Sequence, residues 1–241
     1  LVGNGLSNQT FIEAPEGIIA VDTGESIEEM REALRRLREF TSAPIAAVVY
    51  THFHYVEGTK AILEEGNHAI PLPIYGHEKI AFNKERTLGE ISPAYARGLV
   101  EQFAIVMPTE GPDATVNVGL GFFYKNPMHA PFTPGHIPVT EILKEKGSST
   151  VAGLAVQYQY SPSDSDDSIN FYFPSIGTCV HNTVWPVLFN VYAIRGEEYR
   201  DPRILIPGVE NIIKWAPEYL VATHGPALTG KDNIREKATR Y

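Results

Sequence analysis

Two histidines separated by one residue follow a short apolar segment and could bind a metal ion together. His52 and His54 come directly after residues 44–50, PIAAVVY, which are partly β-branched and predicted to form a buried strand. Side chains two residues apart on an extended backbone point to the same side. Each imidazole can therefore offer a ring nitrogen to one ion, and nitrogen is a common ligand of zinc. The sequence predicts a metal site at this strand end.

The strand that precedes the histidines belongs to an alternation of predicted strands and helices, which favours a layered α/β fold. Residues 26–40 carry apolar side chains at helical spacing behind Ser26, a predicted N-cap. The other predicted helices are residues 59–65, 80–105 with a break near residues 92–93, and 207–215. The predicted strands are residues 6–12, 17–22, 44–50, 71–75, 154–160, 169–173 and 219–223. The prolines of residues 71–75 would confine that strand to a sheet edge.

Composition limits the classes of partner. The chain has 241 residues, 43% of them hydrophobic, so it can bury the core of one domain. Its formal charge of -9 argues against nucleic acid and anionic membrane surfaces as main partners. No segment is long and apolar enough to predict a membrane span. Cys179 is the single cysteine, so no intrachain disulfide is expected and the compartment is left open.

Residues 51–58, THFHYVEG, resemble the metal motif of the metallo-β-lactamase superfamily, Thr-His-x-His-x-Asp-His-x-Gly. The resemblance implies a four-layer αββα sandwich whose histidines hold zinc. Val56 stands in place of the motif's Asp and has no donor atom. Glu57 stands in place of its third histidine and could supply a carboxylate oxygen, although it could equally cap the following helix. The resemblance therefore implies one zinc ion or two.

Four segments narrow the resemblance to the zinc-dependent alkylsulfatases of this superfamily. Residues 117–121, NVGLG, are similar to the family's Gly-x-Gly-Leu-Gly loop, and residues 170–174, NFYFP, to its Phe-Tyr-Phe-Pro strand. Residues 189–196, FNVYAIRG, are similar to its His-Asn-Leu-x-Thr-x-Arg-Gly helix. Residues 237–241, KATRY, resemble the start of its helical dimerisation region. The resemblance thus spans most of the chain.

The resemblance also implies further metal ligands. Ten residues before Pro174, where the family has a zinc-binding Glu, this chain has Asp164. The family's next metal-binding Glu falls on Asn182, whose neighbour His181 is the better ligand, and its final metal histidine matches His224. Asp164 also has an alternative interpretation as part of a solvated acidic loop. His181 has one as a hydrogen-bonded loop histidine.

Two arginines are candidates for catalysis. Arg195 matches an arginine that resembles a sulfate-binding group, and a guanidinium can hold an oxyanion through two hydrogen bonds. Arg200 falls near the family's leaving-group side. Ordinary surface ion pairs are the alternative for both. Pro186 and Phe189 replace two family histidines, so acid–base chemistry that depends on those histidines is absent here.

Two functions follow from these residues. The first is a metal-dependent hydrolase of an ester, with sulfate esters among the candidates, whose small-molecule substrate has an apolar part. Aromatic residues of the proline-rich segment 107–135 would contact that part: Phe122, Phe123, Tyr124 and Phe132. The second is a non-hydrolytic, small-molecule-binding descendant with one metal or none, which the residues Val56 and Asn182 favour.

Residues 1–230 are expected to form the metallo-β-lactamase-like domain, and residues 231–241 to begin a C-terminal helical region. The chain starts at Leu1 without a signal peptide, and its last ten residues, DNIREKATRY, begin a helix without a closing signal. We therefore expect the natural chain to extend beyond both ends. A homodimer formed through the continuing C-terminal region is the expected assembly.

Overall fold

Two β-sheets with helices outside them make up the computed structural model, which describes residues 1–108, 110–182, 195–197 and 199–240. The strands are β1 (Thr10–Ala14), β2 (Gly17–Val21), β3 (Ile45–Val49), β4 (Ile74–Gly76), β5 (Glu141–Ile142), β6 (Lys146–Val151), β7 (Leu154–Tyr160), β8 (Ile169–Phe173), β9 (Thr178–His181), β10 (Tyr219–Ala222) and β11 (Leu228–Thr229). The helices are α1 (Ile27–Leu37), α2 (Thr59–Glu65), α3 (Ile80–Leu88), α4 (Ser92–Gln102), α5 (Pro202–Trp215) and α6 (Lys231–Arg240).

The first sheet has the strand order β1-β2-β3-β4-β5, and β3 brings His52 to its carboxyl end. All residues of β2 and β3 are buried, as expected for strands covered on both faces. The edge position expected for residues 71–75 is wrong, because β4 pairs with β3 on one side and with the short β5 on the other. Pro71 and Pro73 precede the paired residues, so neither has to donate a ladder hydrogen bond.

The second sheet has the strand order β11-β10-β9-β8-β7-β6. Strands β7 and β8 have the bounds that the sequence predicted. Strands β6 and β9 were not predicted. The mostly exposed sequence KGSSTV of β6 lacks an apolar pattern, and β9 has only four residues. Both strands form because neighbouring strands supply their hydrogen-bond partners: β7 pairs with β6, and β8 and β10 pair with β9 from either side.

Three apolar clusters separate the four layers. Between the sheets, Ile19 and Val49 of the first pack with Phe171 and Val180 of the second. Helices α1 and α2 cover the outer face of the first sheet, and α5 and α6 cover the outer face of the second. The predicted αββα sandwich is therefore confirmed. No helix in the described ranges combines the length and the apolar character needed to cross a bilayer.

Helix boundaries depend on caps and on packing. The predicted N-cap of α1 is confirmed, because Ser26 Oγ accepts a hydrogen bond from the Glu29 amide at 3.1 Å. Helix α5 begins five residues before the predicted start at Pro207. Proline removes a helical hydrogen bond and is expected near a helix start. Here Asp201 caps the helix, and burial of Leu205 and Val209 stabilises the turns on either side of Pro207.

The final helix packs onto the second sheet. Its residues Ile234 and Ala238 are buried in one cluster with Ile212 of α5 and Leu220 of β10. The described part of segment 231–241 thus contacts the preceding domain closely. The start of a separate C-terminal region at residue 231 stays a prediction.

Candidate metal centre

His52 and His54 lie where β3 ends and the chain turns. His52 has extended backbone angles, and a 3-10 turn at Phe53–Tyr55 follows it. This turn, rather than a continued strand, sets the direction of the second ring. The two imidazoles still meet, because their ring centroids are 5.0 Å apart at an interplanar angle of 79°. The predicted pairing of the two rings is therefore present, with a different backbone geometry.

Asp164 joins the two histidines from the loop between β7 and β8. One ligand atom from each of His52, His54 and Asp164 lies within 4.8 Å of the others. Asp164 Oδ2 is 3.6 Å from His52 Nε2 and 2.8 Å from His54 Nδ1. Adjacent ligand atoms around a tetrahedral zinc ion with bonds of about 2.0–2.1 Å lie about 3.3 Å apart. These two separations lie on either side of that value, and all three ligand atoms lie within 4.8 Å of one another, so the donor set could hold one metal ion.

The hydrogen bonds behind His52 determine which ring nitrogen faces the cluster. Thr51 Oγ1 donates to Asp22 Oδ2 at 2.7 Å and lies 2.9 Å from His52 Nδ1. Burial raises the pKa of Asp22 to about 6, so this carboxylate is still ionised at neutral pH and accepts. The Thr51 oxygen then accepts the proton of His52 Nδ1. His52 Nε2, buried and without a hydrogen-bond partner, is left with its lone pair directed at the cluster.

In His54 the roles of the two ring nitrogens are exchanged, so that Nδ1 rather than Nε2 faces the cluster. Its Nδ1 forms no hydrogen bond that meets the geometric criteria, although it lies 2.8 Å from Asp164 Oδ2. Burial opposes protonation of His54, but the neighbouring carboxylates of Asp164 and Glu197 together raise its pKa above the usual value. Burial lowers the pKa of His52. Buried nitrogen atoms without partners beside a carboxylate are what a cation site requires.

Two arginines hold the other oxygen of Asp164. Arg200 Nη2 is 2.9 Å from Asp164 Oδ1, and Arg195 Nη2 is 3.8 Å from it. Burial alone would raise the pKa of Asp164, but Arg200 and His54 hold it well below its usual range. Asp164 is therefore an anion at neutral pH, as a metal ligand must be. The alternative of exposed surface arginines does not fit, because both are buried.

Glu197 completes the charged cluster and was missed by the sequence reasoning. Its carboxylate accepts from Arg195 Nε at 3.0 Å and lies 3.6 Å from His54 Nε2. Burial favours the neutral acid, but His54 and Arg195 together lower its pKa. The signal that could have found it is its place two residues after Arg195. An acidic residue so near a predicted anion-binding arginine in the sequence is a natural ion-pair partner for it.

Glu57, a predicted ligand, lies outside the cluster of His52, His54 and Asp164. Its carboxylate forms an ion pair with Lys84 of α3 and accepts hydrogen bonds from the amides of Gly135 and His136, at 3.2 and 3.1 Å. It does not cap α2 either, since the described hydrogen bonds of its carboxylate come from Lys84, Gly135 and His136 and not from an amide of α2. Both of its oxygens have partners, and the carboxylate thereby joins loop 133–136 to α3.

His224 and His181 are both buried, and neither enters the cluster. His224 Nδ1 donates to the Leu6 carbonyl at 3.0 Å, so its Nε2 accepts from the Tyr55 hydroxyl at 3.2 Å. Burial lowers the pKa of His224 to about 4. Burial and the neighbouring His224 lower the pKa of His181 to about 3. Both rings are neutral at physiological pH.

The other positions of the implied second metal site carry no charge. Val56 is fully buried in the core beneath α1 and α2. The Asn182 amide donates to Ser168 Oγ at 2.8 Å and accepts from the Ser163 hydroxyl. Its side chain therefore ties the 161–168 loop together. Pro186 and Phe189 lie outside the described residues.

A cleft of about 690 Å³ opens beside the cluster. Asp164, Glu197 and Arg200 supply the charged part of its lining near the ligands, and apolar side chains such as Phe82 and Ile204 supply another part. The aromatic residues expected to contact an apolar substrate, Phe122, Phe123, Tyr124 and Phe132, do not line it. Tyr124 instead stacks on Phe103 at a centroid distance of 4.7 Å.

The fold and the His-x-His strand end are of the metallo-β-lactamase type. The model of the metallo-beta-lactamase superfamily matches residues 2–55. Over 231 residues the chain is 31% identical to a linear primary-alkylsulfatase of a Pseudomonas strain, covering 94% of this chain and 43% of that protein. The chain therefore spans less than half the length of this relative.

Solved structures agree on the fold. The stereoselective inverting sec-alkylsulfatase Pisa1 from Pseudomonas sp. superposes with a TM-score of 0.85 at 23% identity, covering 98% of this chain and 38% of that one. A metallo-beta-lactamase family protein from Thermus thermophilus gives 0.65 at 16% identity, covering 97% and 72%. The chain has the metallo-β-lactamase fold and is similar to the alkylsulfatases, as its motifs predicted.

Proposed function

We propose that the chain is a metal-dependent hydrolase that cleaves a sulfate ester of a small molecule with an apolar part. The observation that carries this proposal is the cluster of His52, His54 and Asp164 with two buried arginines at the far oxygen of Asp164. The similarity to proteins named alkylsulfatases supports the same reaction class.

The three cluster residues would hold a zinc ion through His52 Nε2, His54 Nδ1 and Asp164 Oδ2. Imidazole nitrogen and carboxylate oxygen are ligands that zinc accepts, and three protein ligands leave a position for water or substrate. When bound, zinc supplies a Lewis acid that polarises an oxygen and lowers the pKa of a bound water. Asp22 and Thr51 keep His52 in the tautomer that leaves Nε2 without a proton.

The arginines are suited to the sulfate group. A guanidinium presents two parallel N–H donors that match two oxygens of a planar or tetrahedral oxyanion. The Arg195 guanidinium is held over the Tyr95 ring, 5.2 Å from its centroid, which restricts its orientation. Apolar residues Phe82, Ile91 and Ile204 of the adjoining cleft would contact the substrate's apolar part.

Release of inorganic sulfate from a short primary alkyl sulfate tests the proposal. Protein loaded with zinc should release sulfate, and the same protein after chelation should not. The matched carboxylate ester serves as a comparison, and His52→Ala with His54→Ala as the inactive control. Hydrolysis of the carboxylate ester alone would contradict the sulfatase assignment.

A second function is favoured by a specific observation. The remaining positions implied for a second metal ion are a core valine, an amide tied within its loop and a histidine bonded at both nitrogens: Val56, Asn182 and His224. None of these three side chains leaves a ligand atom without another partner, so they favour a single ion, held by His52, His54 and Asp164. Binding of an alkyl sulfate without release of sulfate, by protein with one zinc equivalent or none, would support a non-hydrolytic binding protein instead.

A further inference from the structure

Glu197 is a largely buried carboxylate beside the proposed metal site, next to both Arg195 and His54. Its side chain is 12% exposed. Arg195 approaches its Oε2 through Nε at 3.0 Å and through Nη2 at 2.9 Å. The other oxygen, Oε1, lies 3.6 Å from His54 Nε2. Glu197 thus lies between a group assigned to oxyanion binding and a histidine assigned to the metal.

The position of the ring proton of His54 explains why this contact matters. A neutral histidine that gives Nδ1 to a metal ion carries its proton on Nε2, and that N–H requires an acceptor. Arg195 Nη2 is 3.4 Å from His54 Nε2, but a guanidinium only donates. Glu197 Oε1 faces the same nitrogen and can accept. Coordination through Nδ1 therefore favours the contact with Glu197 over the contact with Arg195.

We propose that Glu197 is a positioning residue of the metal centre. It accepts the Nε2–H of His54 and neutralises Arg195 beside the ion. This inference rests on the proposed function, because it requires His54 to be a ligand. The present 3.6 Å separation is a few tenths of an ångström longer than a hydrogen bond. The attraction between an N–H and a carboxylate shortens such a contact, and carboxylates of this kind orient metal-binding histidines.

The balance of charges around the cluster supports the same role for Glu197. Arg195 and Arg200 are balanced by Asp164 and Glu197, which contact them at 2.9 Å in the two shortest pairs. Removal of Glu197 would leave a positive charge next to His54, where a metal cation must bind. The same removal would strengthen the local attraction for an anion. Zinc affinity and sulfate affinity should therefore change in different ways, which a merely structural residue would not cause.

Zinc dissociation constants of three variants test the proposal, measured by competition with a chromophoric chelator. Glu197→Ala should weaken zinc binding about 10- to 100-fold, the usual effect of losing such a carboxylate. Glu197→Gln should lose less, because it keeps an acceptor oxygen without the charge. Glu210→Gln, an exposed position on α5, is the control and should match the wild type.

Two further measurements distinguish a positioning role of Glu197 from an effect of the substitution on folding. Affinity for inorganic sulfate should be maintained or tightened in Glu197→Gln, and a parallel loss of zinc and sulfate affinity would overturn the proposal. In zinc-loaded protein with 15N-labelled histidine, the Nε2–H signal of His54 should be visible in the wild type. In Glu197→Ala this signal should weaken through faster exchange with water.

The outcomes also distinguish this inference from the proposed function. If His54→Ala loses zinc while both Glu197 variants keep wild-type affinity, only the role of Glu197 is overturned. If His54→Ala also keeps wild-type zinc affinity, the cluster is not the metal site and both proposals fail. If Glu197→Ala does not fold, Glu197→Gln decides, and a wild-type zinc affinity in that variant counts against the proposal.

Discussion

His52 and His224 have similar local sequences, because each follows a threonine at the end of a buried strand, yet their ring nitrogens have different partners. His224 uses both nitrogens, with Leu6 and Tyr55. His52 uses one nitrogen and leaves Nε2 buried without a partner. Leaving a buried polar atom unpaired costs about 1–3 kcal/mol. A bound cation would remove that cost, which makes His52 the stronger ligand candidate.

At the same scale, we predict that His52→Ala combined with His54→Ala abolishes zinc binding. Each imidazole supplies one of three ligand atoms, and the remaining carboxylate is already paired with Arg200. Elemental analysis after dialysis against zinc measures the stoichiometry. His68→Ala, a histidine outside the cluster, is the matched control. A double variant that still bound zinc as the wild type does would show that the ion is held elsewhere.

Arg195→Lys should weaken the binding of a sulfate ester more than the binding of a neutral analogue of the same shape. Lysine keeps the charge but has no planar fork for two parallel hydrogen bonds. Loss of a charge-assisted contact costs on the order of 1.5–3 kcal/mol, so a tenfold to hundredfold difference is expected. Competition binding with the two ligands measures this ratio. Equal losses for both would identify Arg195 as a structural residue.

Between elements, Glu57 and Lys84 connect α3 to the loop that follows the 3-10 turn at residues 127–129. Glu57 accepts from two backbone amides of the loop and pairs with Lys84. The loop in turn contacts α1 and α2, where the Ile27 amide donates to Thr133 and the Lys60 amide to Gly135. One carboxylate therefore holds together three segments that are far apart in sequence.

Lys84→Ala should destabilise the fold by about 3 kcal/mol, because it leaves a largely buried carboxylate without its cation. Chemical denaturation measures the change in free energy of unfolding. Lys231→Ala, at an exposed position, is the control and should change it by less than about 0.5 kcal/mol. Zinc affinity should be retained, since Glu57 lies outside the cluster. Loss of zinc binding with an intact fold would return Glu57 to the ligand set.

At the scale of the whole molecule, the buried side chain of Glu29 joins the N-terminal segment to α1. Glu29 Oε1 accepts from Gln9 Nε2 at 2.5 Å, and Oε2 accepts from the Glu25 amide at 3.0 Å. A Cβ atom added to Gly5 or Gly24 would lie too close to this carboxylate, so a larger residue at either position would displace the Glu29 side chain. Burial raises the pKa of Glu29 from 4.5 to about 7.

Because the pKa of Glu29 is raised, the free energy of unfolding should depend on pH. Between about pH 4.5 and 7 the folded chain binds this proton and the unfolded chain does not, so stability falls as pH rises through that window. Glu29→Gln stays neutral and should lack this contribution, which is on the order of 3 kcal/mol between pH 4.5 and pH 8. Denaturation curves at several pH values measure the difference from the wild type. Glu13→Gln, at an exposed position, should run parallel to the wild type.

The sequence by itself determined the features that depend on near neighbours. The bounds of β7 and β8 follow from short runs of strand-forming residues, and the cap of α1 from Ser26. His52 and His54 were recognised because their spacing and the preceding strand are local. Asp164 was found through the resemblance to the alkylsulfatases, by counting back from Pro174 to the position of their zinc-binding Glu. A local pattern is sufficient wherever the partners are a few residues apart.

Only the tertiary structure decided which candidates meet. His54 and Glu197 come from distant parts of the chain, and so do Glu57 and Lys84, so no spacing rule could pair them. In the folded chain Glu57 pairs with Lys84 of α3, and His224 has two hydrogen-bond partners. The physical reason is that a polar side chain binds whatever the fold brings within about 3 Å when water is removed. Residue type therefore predicted the available chemistry, whereas burial and distant partners decided which atoms remained to bind a metal ion.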